Sequence, residues 1–345
     1  MTATEDFAIV IGISRYPKLQ DLEGPVKDAK RFRDWLIQVA KVPALQVKMV
    51  ISKDPPDSGD RPIKDEIDDA FTEIFDAARR LRMYSQQARR LYLYFAGHGC
   101  AQEFRHVALL MANASLDNLD RSIDAASYHE RLARRALFPE QVIFYDCCRN
   151  WDRRVTGQGP SWTRDDPTSR AASVTQFILY AAGFTEYANE RALKYSTRRG
   201  LFTEALMEGL DGRAVKKVQE EWIVSTETLV PYVEMRLEEL TKQENVRQQL
   251  NIDWAGLPRP LVLAKVAHPP LYRVSVYSSF PDANVVIYDH KLQEFKRKPL
   301  SGNHTDFHLP PGLYRICIEP DGPQELVEVG PGKLNSITLK GDKDG

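Results

Sequence analysis

The chain has 345 residues, 43% apolar and 28% charged, with a formal net charge of −1. That balance supports a full hydrophobic core and excludes a disordered chain, and the near-zero charge gives no general attraction to nucleic acid or anionic lipid. No run approaches the roughly 18 apolar residues of a membrane span, and the start, MTATEDFAIVIGI, has neither a basic leader region nor a small-residue cleavage site. The expectation is a cytoplasmic protein with no nucleic-acid or membrane partner. Four cysteines (Cys100, Cys147, Cys148 and Cys317), two of them adjacent, are too few and too uneven for a disulfide framework and read as reduced thiols. The length implies two domains.

Residues 7–13, FAIVIGI, form a continuous apolar run rich in β-branched residues, the pattern of a strand buried on both faces of a parallel sheet. From Pro25, a residue suited to a first helical turn, Val26, Ala29, Phe32, Leu36 and Val39 recur at helical spacing. The alternation repeats with a strand at 47–51, a Pro/Asp/Gly loop at 54–62 and a helix at 63–81. A strand at 91–95 comes next, then a hairpin through 107–111, a helix at 125–136 and strands at 142–145 and 177–181. Helices at 201–210 and 226–240 complete an α/β sheet covered on both faces. Past His268-Pro-Pro the texture changes to short alternating strands at 272–277, 284–288, 314–318, 325–329 and 336–339, a small all-β sandwich. The expected domains are 1–267 and 268–345. Residues 150–172 are irregular for longer than an ordinary connection and read as a mobile or functional loop.

Ligands of open α/β sheets bind beyond the carboxyl ends of the strands, and two strands end in reactive chemistry. One leads into Gly97-His98-Gly99, the other into Asp146-Cys147-Cys148-Arg149. A cysteine nucleophile needs its thiolate, and an imidazole beside it can take the proton and return it to a departing amine. The backbone N–H groups of Gly99 and Cys148 can hold the developing oxyanion, a contribution of about 10²–10³ in rate per donor.

These residues resemble the caspase family in its broad sense, which includes metacaspases and bacterial caspase-like peptidases. In that family a histidine precedes the cysteine by about 50 residues. Here the separation is 148 − 98 = 50. The resemblance covers residues 7–265, including the run Ile178-Leu-Tyr-Ala-Ala-Gly183 that leads to Gly200-Leu-Phe-Thr203. It implies a caspase-like, mostly parallel sheet flanked by helices, with His98 as general base and acid and Cys148 as nucleophile. Animal caspases carry glutamine two places before the cysteine, whereas Asp146 here is similar to the Asp-x-Cys of metacaspases. By the same resemblance Asp28 falls on the second acidic position of a primary specificity pocket. Two carboxylates favour a cation and repel an aspartate. The expected cleavage is after Arg, whose planar fork engages both carboxylates, ahead of Lys.

Bland readings compete at several positions. Cys147 is the rival nucleophile, and the Asp-x-Cys register chooses Cys148; the neighbour then packs inward as a small hydrophobe. Zinc on His98, Cys100, Cys147 and Cys148 has no Cys-x2-Cys pair to build on, and the reading is that there is no metal site. A calcium requirement stays open, with no EF-hand loop and Asp117 and Asp120 as ordinary loop carboxylates. His106 and His129 read as surface or hairpin residues, His268, His290, His304 and His308 as structural residues of the linker and the β module, and Glu186 and Glu190 as solvated loop residues that can alternatively line the pocket rim. Arg153, Arg154, Arg164 and Arg170 lie where caspases carry the linker between large and small subunits, and are candidate processing sites. The resemblance implies an effector of stress or antiviral defence, a zymogen switched on by an upstream protease or partner and acting on proteins with exposed Arg or Lys. The alternatives are a catalytically silent scaffold that docks partners through the β module and a metal-dependent hydrolase.

Overall fold

A computed structural model of the chain describes residues 4–53, 60–101, 106–152, 154–162, 173–183, 190–192, 198–256, 259–280, 283–289, 291–320, 322–333 and 336–340. The chain runs through β1 (Asp6–Gly12), α1 (Pro25–Gln38), β2 (Val47–Ile51), α2 (Lys64–Leu81) and β3 (Arg90–Ala96). Three short strands follow, β4 (Gly99–Ala101), β5 (Val107–Leu110) and β6 (Ser122–Asp124), then α3 (Ala125–Arg135), β7 (Glu140–Asp146) and β8 (Thr175–Tyr180). Next come β9 (Glu190–Ala192), β10 (Arg198–Gly200), α4 (Leu201–Glu208), β11 (Val215–Val218), β12 (Glu221–Ser225), α5 (Thr226–Glu244), β13 (Asn251–Gly256) and β14 (Val262–Val266).

Six strands make one sheet in the order β13-β8-β7-β3-β1-β2. All its pairs are parallel except β13 on β8. The inner strands are buried throughout, which is why they read as unbroken apolar runs. Alternation along β3 sorts its side chains to opposite faces. Tyr92 and Tyr94 meet Trp35 and Phe32 of α1, whereas Leu91, Leu93 and Phe95 join Phe71 and Phe75 of α2 and Leu132 of α3 in the main core. Gly12 lets α1 pack tightly over the end of β1, because a Cβ there would start 2.7 Å from Ala29 Cβ and 2.8 Å from the Pro25 carbonyl oxygen. The close approach brings the first turn of α1, with Asp28, to the carboxyl edge of the sheet. Strand β8 starts two residues before its expected apolar run because Thr175 and Gln176 are buried polar residues. The Gln176 amide is satisfied, donating to the Gln141 side chain and the His129 carbonyl, each at 2.8 Å.

Strands β4, β5 and β6 form a small antiparallel sheet where the sequence implied a hairpin. The described part of the segment after β7 is laid against it. Ala101 N–H donates to the Asn150 carbonyl (2.9 Å), Asp152 N–H to that of Ala101 (3.1 Å), and Gln158 N–H to that of Ser122 (2.9 Å). The Gln158 carbonyl accepts from Asp124 N–H at 2.9 Å. Trp162 ends this path buried among Phe71, Phe75 and Tyr128, with ring centroids 4.6, 5.3 and 5.0 Å away. The stretch expected to be a mobile loop from 150 to 172 therefore follows a defined, hydrogen-bonded path over 150–152 and 154–162.

The chain divides into two compact units, Met1–Met207 with Val233–Leu261, and Glu208–Tyr232 with Val262–Gly345. The sequence places a single crossing at 267/268. In space the hairpin β11–β12 pairs with β14 and goes with the later strands. The rest of the second unit is a sandwich of β15 (Tyr272–Ser278), β16 (Asn284–Tyr288), β17 (Glu294–Pro299), β18 (His304–Leu309), β19 (Gly312–Glu319), β20 (Gln324–Val329) and β21 (Ser336–Leu339). Its sheets are β18-β15-β21 and β17-β16-β19-β20. Val274, Val276 and Phe307 of one meet Val285, Ile287 and Ile316 of the other in a separate core. Among the described residues no helix is long and apolar enough to cross a membrane.

The buried indole anchors its segment through packing, so Trp162→Ala is expected to cost about 3 kcal/mol. Trp151→Ala, at a half-exposed side chain, should stay within about 0.5 kcal/mol of wild type. Urea midpoints check this, and equal midpoints for the two variants would refute the anchoring role.

Candidate active site

Strands β3 and β7 are parallel neighbours with Ala96 opposite Asp146. Pairing continues one step past both, where Gly97 N–H donates to the Asp146 carbonyl at 3.2 Å, and resumes at Ala101 N–H to the Asn150 carbonyl, 2.9 Å. His98 and Gly99 on one segment and Cys147 and Cys148 on the other are thus held side by side between two hydrogen-bonded pins. The segments touch. A Cβ on Gly99 would start 2.8 Å from both Cys147 Sγ and the Cys148 carbonyl oxygen. Glycine is needed there for close approach.

The histidine is fixed by groups from the β1–α1 connection. His98 N–H donates to the Tyr16 hydroxyl at 2.8 Å, and that hydroxyl donates to the Leu110 carbonyl at 3.3 Å. The Tyr16 and His98 rings lie 4.6 Å apart, tilted by 58°. His98 Nε2 is 2.7 Å from the Gln20 carbonyl oxygen. A carbonyl only accepts, so Nε2 carries the proton, and in the neutral imidazole Nδ1 holds the lone pair. Asp21 shapes the loop that presents Gln20 by accepting from Tyr16 N–H (2.7 Å) and Arg15 Nη1 (2.9 Å). The Tyr16 N–H bond and the Arg15 guanidinium hold the Asp21 carboxyl below its ordinary range.

Burial separates the thiols. Cys147 is 2% exposed and belongs to the main core, while Cys148 is half-buried. Desolvation, with the neighbouring Cys148 adding to it, pushes the Cys147 thiol well above its ordinary value. Burial, and then Asp152, raise that of Cys100 to about 12.

Two buried carboxylates converge on the start of α4. Asp28 Oδ2 accepts from Gly200 N–H at 3.0 Å, and Asp146 Oδ2 accepts from Thr203 Oγ1 at 2.6 Å. Gly200 has no room for a side chain, since a Cβ would lie 2.1 Å from Asp146 Oδ2. The Tyr94 hydroxyl sits 2.6 Å from Thr203 Oγ1. Burial, then the charges of Asp28 and Asp146, push the Tyr94 phenol well above its ordinary value, so it remains a hydroxyl.

The residues singled out in sequence thus fall into two neighbouring groups, His98, Gly99 and Cys148 at the strand ends and Asp28 with Asp146 beside Gly200. Arg154 stands apart. It forms a two-point ion pair with Asp152 (3.0 and 2.8 Å) and reaches the Leu116 carbonyl at 3.5 Å. Arg153, Arg164, Arg170 and Glu186 lie outside the described residues, and Glu190 is placed by its backbone in β9. Tyr16, Gln20, Tyr94, Gly200 and Thr203 escaped the sequence reading. Only Gly200-Leu-Phe-Thr203 carried a signal, as part of a resembling run with no role attached. Among the described residues no three His, Cys, Asp or Glu side chains converge on a metal-sized site.

The sequence model of the caspase domain matches residues 5–259. A curated relative whose name is "Probable protease", from a Desulfuromonadales bacterium, is 28% identical over 276 residues, covering 75% of this chain and 32% of its own length. The chain therefore spans about a third of that relative. The chain is also similar to caspase-1 from Spodoptera frugiperda, with 15% identity, a TM-score of 0.46, and coverage of 76% of this chain and 92% of that one. A structural-genomics protein from Geobacter sulfurreducens gives 12% identity, a TM-score of 0.46, and coverage of 74% and 94%.

The burial contrast predicts the order of thiol reactivity. Burial pushes the Cys100 thiol up to about 12, so very little of it is thiolate at pH 8. Iodoacetamide at pH 8 should modify Cys148 at least about tenfold faster than Cys147 or Cys100, as located by fragment mass spectrometry. Modification of Cys147 at the rate of Cys148 would overturn this ordering.

Proposed function

The chain belongs to the caspase-domain family, and on that footing we propose that it is a cysteine endopeptidase that cuts proteins after a basic residue, arginine ahead of lysine. The observation that carries the reading is the pair of pins at Gly97–Asp146 and Ala101–Asn150, which keeps the histidine and cysteine segments side by side. In this reading His98 Nδ1 takes the proton of Cys148 Sγ, while Nε2–H stays on the Gln20 carbonyl and fixes the ring. The thiolate attacks the scissile carbonyl, and the developing oxyanion is received by the N–H groups of Gly99 and Cys148. His98 then returns the proton to the departing amine. The acyl-enzyme is released by water that His98 activates in the same way. The need for a glycine at 99 fits this, because a side chain there would collide with the backbone beside the nucleophile.

Asp28 and Asp146 supply the selectivity. Both are nearly inaccessible, 2% and 8% exposed, and two carboxylates in such a site gain from a cation and are incompatible with a substrate aspartate. Guanidinium is the better ligand because it is planar and less costly to desolvate than ammonium. We further read the chain as a cytoplasmic effector of stress or antiviral defence, switched on by an upstream protease or a partner. The ion pair and backbone contact of Arg154 make it a poorer processing site than an arginine in open loop.

The test is a set of fluorogenic peptides with Arg, Lys, Asp or Leu before the scissile bond, assayed with and without calcium and after limited trypsin treatment. Arg should be cut best, Lys more slowly, and Asp and Leu at least about 100-fold less well. Cys148→Ala should abolish turnover, with Cys147→Ala retaining it within severalfold. Preference for Asp peptides would refute the acidic pocket, and turnover by Cys148→Ala would refute the nucleophile. Asp146→Asn is expected to lower kcat/KM for the Arg peptide by about 100-fold, the scale of one lost charged hydrogen-bond partner.

A further inference from the structure

Tyr94, Thr203 and Asp146 form a buried chain of two 2.6 Å hydrogen bonds. Its direction is set by proton count. An ionised carboxylate can only accept, so the single Thr203 hydroxyl proton goes to Asp146 Oδ2. Thr203 Oγ1 is then left to accept, and the Tyr94 hydroxyl donates to it. Tyr94 and Thr203 are both fully buried, so water does not compete for either proton. The strand β3 that carries Tyr94 is packed on both sides in the sheet, and Phe32 of α1 stacks on its ring at 4.8 Å. Thr203 is therefore held by a rigid donor behind it and delivers one oriented hydrogen bond in front.

The same stretch of chain serves the other carboxylate. Gly200 N–H bonds Asp28 Oδ2 at 3.0 Å, and the absent side chain of Gly200 leaves space for Asp146 Oδ2. Two like charges in one buried site require such donors to stay in place. A planar guanidinium binding in two-point fashion depends on the carboxylate's orientation, whereas an ammonium behaves as a point charge and tolerates rotation.

We propose that Thr203, oriented by Tyr94, is a positioning residue that fixes the Asp146 carboxylate and thereby sets the preference for arginine over lysine. This rests on the reading of Asp28 and Asp146 as the substrate-cation pocket. Thr203→Val keeps the shape and removes the hydroxyl, and Thr203→Ser keeps the hydroxyl and removes a methyl group. Tyr94→Phe removes only the rear donor, leaving the threonine hydroxyl free to turn.

The experiment measures kcat and KM for matched Arg and Lys peptides in wild type and the three variants, with the rate of Cys148 alkylation by iodoacetamide as a control. In Thr203→Val the Arg/Lys ratio of kcat/KM should fall about tenfold, mainly through KM for the Arg peptide. Thr203→Ser should restore the ratio to within about twofold, and Tyr94→Phe should give an intermediate fall of about threefold. Alkylation should be unchanged in all three. A packing role alone would lower both peptides together, so an unchanged ratio in Thr203→Val and Tyr94→Phe overturns the proposal while the pocket reading stands. If wild type is alkylated at Cys148 yet does not prefer Arg or Lys peptides, the pocket reading fails and the proposal with it.

Discussion

The register between β3 and β7 is the constraint on which the site depends. Parallel pairing puts Ala96 opposite Asp146, and the chain leaves the sheet on both strands at the same level. The hydrogen bonds at Gly97 and Ala101 then bracket both segments, so the backbone holds the proposed base and nucleophile on neighbouring stretches of chain. A slip of one residue would turn every side chain of β7 to the other face. It would bury Cys148 in place of Cys147 and send Asp146 into the main core. The apolar residues Val142 to Tyr145 resist this, because both faces of the strand are buried and each side chain already has its layer.

Burial does the rest of the chemical sorting. Of the two adjacent thiols, the one aimed into the core pays the desolvation cost and loses its thiolate, and its half-buried neighbour does not pack into that core. The next residue, Arg149, is itself 1% exposed. Its guanidinium reaches the Asn251 side chain at 3.0 Å and the Ala182 carbonyl at 3.4 Å, and lies 4.5 Å from the centre of the Tyr180 ring. A buried cation with these partners ties the end of β7 to β8 and β13, so the segment carrying Cys148 is held from below as well as from the side.

The acidic pair shows the same economy with a different interaction. Asp28 comes from the first turn of α1, Asp146 from the last residue of β7, and their donors from Gly200 at the end of β10 and Thr203 in α4. Isolated buried carboxylates are costly, and hydrogen bonds to backbone and hydroxyl donors offset that cost. Tight packing is part of the arrangement. Glycine at 12 brings α1 down onto β1, and glycine at 200 lets the carboxylate of Asp146 approach the chain. Both are positions where a side chain has no space, and neither glycine needs an unusual backbone angle to serve that purpose.

Much of the fold was legible because its physics is local. Buried parallel strands show as apolar runs, α1 and α2 as helical periodicity, and strand ends as the places for chemistry, which singles out the segments His98-Gly99 and Asp146-Cys147-Cys148, while the choice of Cys148 over Cys147 and the role proposed for Asp146 come from the family resemblance. Strand β17, Glu-Phe-Lys-Arg-Lys-Pro, is exposed along most of its length and has no alternation to read. Pairing with β16 alone makes it a strand. The path of residues 154–162 was hidden for a similar reason, since Trp162 finds its pocket among rings from α2 and α3 that lie far away in sequence. By itself the sequence determined the five parallel strands of the main sheet, the helices that cover them, and the residue types at two strand ends, but not the antiparallel edge strand β13. Only the tertiary structure decided that Gln20 orients the histidine and that Gly200, Thr203 and Tyr94 hold the carboxylates, because each of these is a contact between segments that no local period or spacing connects.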